Sequence, residues 1–94
     1  MASRELERIR NAVLDQRYTL TEHAYDEMDE DNLDVLDVET TILTGKIDQV
    51  LTHDPRGTRY VVIGTATDQT TPVGVVGRFV EHDHLLILTV YEIK

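Results

Sequence analysis

His23, Arg59, Arg78 and Tyr91 are the side chains in this 94-residue chain whose types could transfer protons or hold an anion. Imidazole titrates near neutral pH, which makes His23 the candidate acid–base group. Guanidinium forks match phosphate oxygens, so Arg59 and Arg78 could grip a phosphate. Tyr91, like Tyr60, offers a ring that stacks on a base and a hydroxyl that donates a proton. Each has a plainer use as well. His23 could simply pair with Glu27, four residues on. The arginines could bridge to the chain's many carboxylates, and the tyrosines could be half-buried sheet residues.

Other chemistries are excluded. The chain has no cysteine, hence no disulfide, no thiolate nucleophile and no cysteine-based zinc site. Ser3 is its only serine, and there is no nucleophile elbow or Gly-rich phosphate loop. His82-Asp83-His84 would point two imidazoles the same way along a strand. A catalytic zinc also needs a third protein ligand, which the sequence does not define, so the segment reads as a polar turn. No cofactor and no metal are expected.

The net charge of −9 is concentrated in one stretch. Residues 18–40 carry nine acids and no Lys or Arg, whereas the segments on either side are nearly balanced. The run from Glu22 to Glu39 therefore reads as a solvated helix face or as a docking surface for a basic partner. It is a poor place for a phosphate backbone. The charged N-terminus (Arg4, Glu5, Glu7, Arg8, Arg10) does not resemble a signal peptide, and no run of about 18 apolar residues could span a bilayer. A cytoplasmic protein without a membrane partner is expected.

The length suits one domain over residues 1–94, with a modest core. Ser3 can cap a helix whose Leu6, Ile9 and Val13 form a stripe. Thr21 can cap a second, reaching about Asp31, with Ala24 and Met28 inward. Asp34 or Asp37 can cap a third, carrying Val35, Val38 and Ile42 and ending at Gly45 in the left-handed conformation. The period then becomes strand-like, predicting Ile47–His53, Thr58–Ala66, Val73–Val80 and His84–Ile93. Turns are expected at Asp54–Gly57, Asp68–Thr71 and Glu81–Asp83. Strands so close in sequence predict an α+β fold: three N-terminal helices, then a four-stranded antiparallel meander.

Residues from about Tyr18 to Glu92 resemble a bacterial domain-of-unknown-function family grouped with RelE-like and MqsR-like toxin ribonucleases. Its helix motif T-x-H-A-x-x-R-M-x-x-R appears as Thr21 to Asp31. Its V-x-x-A-I-L-N-G-x-I segment appears as Val38 to Ile47, Y-x-V-x-G as Tyr60 to Gly64, and I-T-x-Y-E as Leu88 to Glu92. The resemblance implies a RelE-like fold and a metal-independent endoribonuclease acting on RNA through His23, Arg59, Arg78 and Tyr91. It also implies an antitoxin-like or other basic protein partner, and leaves a homo-oligomer open. Glu27 and Asp31 replace two family arginines, and Gly74 replaces a strand histidine. The two acids oppose a phosphate, and the three changes together point to degenerate activity. The alternative is a non-catalytic interaction domain whose acidic helix face binds a basic protein.

Overall fold

A computed structural model describes residues 3–94. Three helices pack on a five-stranded mixed sheet, in the chain order α1 (Arg4–Leu14), β1 (Tyr18–Leu20), α2 (Glu22–Glu30), α3 (Val35–Thr44), β2 (Lys46–Leu51), β3 (Arg59–Thr65), β4 (Pro72–Val80) and β5 (His84–Glu92). The strands lie in the order β1-β5-β4-β3-β2. The expected RelE-like four-stranded antiparallel meander is therefore corrected. β1, a strand the hairpin argument did not foresee, enters between the first two helices and pairs with β5 in parallel. Three residues are too few to display a period of two, and a parallel partner far along the chain leaves no turn signature between the strands.

The helices start where side chains can take the free amide protons of a first turn. Ser3 accepts from Leu6 N–H and Thr21 from Ala24 N–H, both at 3.1 Å. Asp34 and Asp37 form a reciprocal capping box at the start of α3. Gly45 ends α3 with φ −90° and ψ −160°, which corrects the expected left-handed cap. Close approach explains the glycine: a Cβ there would lie 2.3 Å from the Ile63 carbonyl oxygen. Arg10 of α1 then satisfies two carbonyls at this helix end, Ile42 O at 3.1 Å and Gly45 O at 2.7 Å.

The core lies between the helices and one sheet face. Ile9, Ala12 and Val13 of α1 and Val38 and Ile42 of α3 meet Val62, Val73, Val75, Leu85, Ile87 and Val90. A bulge in β5 at Leu88, opposite the Val76–Gly77 step, shifts the alternation. Leu85 and Ile87 before it and Val90 after it consequently all face inward.

Candidate functional site

Because the inward set is fixed, strand alternation assigns the remaining residues to the opposite sheet face, away from the α1 and α3 core. Register arranges them in rows. Leu51, Arg59, Arg78, Leu86 and Thr19 form one; Gln49, Val61, Val76 and Thr89 the next; Lys46, Ile63, Gly74 and Tyr91 the third. Arg59 and Arg78 are thus direct antiparallel partners. Like charges opposite one another destabilise a sheet unless something of opposite sign joins them.

Asp54, in the loop after β2, supplies the counter-charge. Its carboxylate lies 3.3 Å from Arg56 Nε and 3.4 Å from Arg59 Nε. Hydrogen bonds from Arg56 hold it below the usual carboxylate range, with the Arg59 charge adding to the effect. The Arg59 contact is proximity of charge and not an aligned hydrogen bond, because the buried Arg59 Nε has no hydrogen-bond partner. Arg78 Nη1 donates to the Arg56 carbonyl oxygen at 3.3 Å. Two guanidinium groups, those of Arg56 and Arg59, therefore flank one carboxylate, and a third, that of Arg78, reaches the Arg56 backbone, leaving an excess of positive charge on a strongly acidic protein.

Tyr91 shares this face two rows away, about 13 Å along β4 at the usual rise per residue. Its ring lies over Gly74, where an added Cβ would sit 2.4 Å from the Tyr91 Cζ. His84 also belongs to this face. Its Nε2 lies 2.7 Å from Thr19 Oγ1, and its strand partner Val80 is two residues beyond Arg78. The sequence places His84 at the start of the last strand, as the structure does, but assigns it no role on this face, although its strand parity with Leu86 is readable.

His23 lies elsewhere. It sits on α2 with its side chain 69% exposed and its Nε2 3.2 Å from Glu27 Oε1. Arg59, Arg78 and Tyr91 thus share one face, while His23 belongs to the helix flanking β5.

That helix completes the sheet edge. β1 covers only Leu85–Ile87 of β5, so the remainder of that edge needs other partners. Thr21 Oγ1 donates to Leu88 O at 3.1 Å, Glu27 accepts from Val90 N–H at 3.3 Å, and Asp31 from Glu92 N–H at 2.9 Å. Neither acidic side chain belongs to a freely solvated face. Asp37 is buried as well and accepts from both N–H and Oγ1 of Thr67 at 2.9 Å. Burial alone would raise its pKa, but the Thr67 and Asp34 hydrogen bonds together hold it low. Glu39 accepts from the Tyr18 hydroxyl. Burial and that bond push Tyr18 up to about 12. Of the nine acids in this stretch, Glu22, Asp26, Asp29 and Glu30 on α2 and the α3 cap Asp34 have exposed positions and no ion pair among the described residues.

The described residues contain no group of three or more His, Cys, Asp or Glu side chains suited to a metal, and no helix long and apolar enough to cross a membrane. The arrangement can hold an anion and present one aromatic ring two rows away on the same face. No curated protein and no solved structure matches the chain. The family described as a domain of unknown function (DUF4258) does match, over residues 20–92, which include His23, Arg59, Arg78 and Tyr91, and the chain belongs to that family.

Proposed function

We propose that the domain binds single-stranded RNA on the uncovered face of its sheet, and that it has little or no ribonuclease activity. The observation that carries this reading is the Arg59–Arg78 register pair beside Asp54. Guanidinium forks suit phosphate oxygens, and Tyr91 would stack on a base, an interaction worth about 1–3 kcal/mol per base. The likeness of the sequence blocks to a family grouped with RelE-like and MqsR-like toxin ribonucleases supports RNA as the source of the phosphates. Weak cleavage follows from His23, which is paired with Glu27 on α2, where carboxylates would repel a scissile phosphate.

The test is binding of a labelled single-stranded RNA across a salt series. Arg59→Ala and Arg78→Ala should each weaken binding and flatten the salt dependence by about 0.7 in the log–log slope. His23→Ala should leave binding unchanged. Absent binding, or binding indifferent to both arginine changes, overturns the reading. Rapid cleavage without metal that disappears in His23→Ala would restore the helix histidine as a catalytic residue.

A second reading is a non-catalytic interaction domain with a basic protein partner. It is favoured by the exposed stripe of Glu22, Asp26 and Glu30, each four residues after the last, with Asp29 three after Asp26, so that these neighbours on the α2 surface are all acidic.

A further inference from the structure

We propose that the outer edge of β1 is the docking groove for an extended basic peptide of a partner protein, which joins the sheet as a sixth strand. The inference deepens the protein-partner reading and is independent of the RNA reading. β1 is an edge strand, paired on one side only. On its inner side Leu85 N–H donates to Arg17 O and Thr21 N–H to Ile87 O. In a parallel ladder alternate residues serve one neighbour, so Tyr18 and Leu20 direct their backbone groups outward.

This edge differs from the opposite one. β2 carries Lys46, Asp48 and a bulge, features that discourage further pairing. β1 reads Tyr-Thr-Leu, with no charge, proline or bulge. Beside it runs an open groove of about 590 Å³, with Tyr18, Leu20, Tyr25, Leu36 and Glu39 in its walls. Tyr25 is 48% and Leu36 62% exposed, although each stands next to the core layer. A strand added to β1 would set alternate side chains over these two residues and continue the core by one position.

Charge selects the occupant. No Lys or Arg occurs from residue 18 to 45, and Glu39 lies in the groove wall. Exposed Glu22 and Asp29 stand three before and four after Tyr25 on α2, adjacent to it on the helix surface. The fitting ligand is therefore a short strand alternating apolar residues with Lys or Arg, held by backbone hydrogen bonds and steered by surrounding carboxylates.

The experiment titrates the full chain with an acetylated, amidated Val-Lys-Val-Lys-Val peptide and follows its amide resonances. Tyr18 and Leu20 amides should shift and gain protection from hydrogen exchange. N-methylating the peptide amides that would face β1 should weaken binding about tenfold or more, because two or more backbone hydrogen bonds are lost. Leu36→Ser should also weaken it severalfold, without unfolding a protein in which that side chain is mostly exposed. A Val-Glu peptide should not bind. Shifts confined to Glu22, Asp26, Asp29 and Glu30, with equal affinity for the N-methylated peptide, would overturn the groove but keep a basic partner. No binding of either Val-Lys peptide would overturn the groove and count against the basic-partner reading too.

Discussion

Asp31 accepts the backbone N–H of Glu92 at 2.9 Å, one helical turn after Glu27 accepts that of Val90 at 3.3 Å. α2 therefore uses two carboxylates where a neighbouring strand would use carbonyls. Asp31→Lys should cost about 1–3 kcal/mol, because it strands a half-buried amide and removes a charged acceptor. Glu27→Lys should cost less, its bond being longer. Lysine at Glu22, Asp26, Asp29 or Glu30 should stay within about 0.5 kcal/mol of the parent. Chemical denaturation decides, and equal effects at all six positions would remove the edge-sealing role.

The same two residues mark where the sequence stopped being legible. Helix starts were readable because Ser3, Thr21 and Asp34 act locally, within three residues of the amides they cap. The β2–β5 strands were readable from their apolar runs and turns. β1 was not, because it is stabilised by a strand it meets only in three dimensions. The acids of α2 looked solvated because charge is local information, while the amides that bind Glu27 and Asp31 belong to a distant strand. A hint was present: both positions flank the buried Ala24–Met28 stripe. Of the candidate site, the arginines and Tyr91 were found by type, but their common face emerged only from the strand register.

Gly74 is the position where Tyr91 lies against the sheet. Gly74→Ala would put a Cβ 2.4 Å from the ring. The ring must rotate away, and overpacking of this kind costs about 1–3 kcal/mol. Tyr91→Ala should relieve most of that penalty, so a double-mutant cycle should give a coupling of at least ~0.5 kcal/mol. Additive effects would mean that the two positions do not meet.

Asp37 and Tyr18 set opposite ends of the pH range. Asp37 has a lowered pKa in the folded chain, so its contribution is complete above the ordinary value of 3.8 and fades as pH falls through the folded value. Asp37→Asn should lower stability at pH 7 and flatten the acid limb of the stability curve. Tyr18 is raised from 10.0 to about 12, so its contribution is complete below pH 10 and fades as pH rises toward 12. Tyr18→Phe should flatten that alkaline limb. Unchanged limbs in thermal melts across pH would show that neither group is linked to folding.

Arg59 and Arg78 face each other across β3 and β4, with the Asp54 carboxylate beside Arg59 alone, so an anion bound between them would relieve their repulsion. Inorganic phosphate should therefore raise the melting temperature in a saturable way. At ten times its Kd the stabilisation is about 1.4 kcal/mol, or several degrees for a domain of this size. Chloride at matched ionic strength provides the screening control, since it weakens exposed charge interactions without occupying a site. Phosphate also strengthens apolar burial in every protein, a gain that does not depend on these two side chains. Arg59→Gln and Arg78→Gln separate the two effects. In each variant the saturable increment should vanish while the general rise persists. Each variant should be about as stable as the parent without phosphate, because a like-charge pair is lost along with any contact to Asp54 or Arg56. A phosphate response that is the same in parent and variants would show that the arginine pair holds no anion, and would remove the ground for RNA binding at this face.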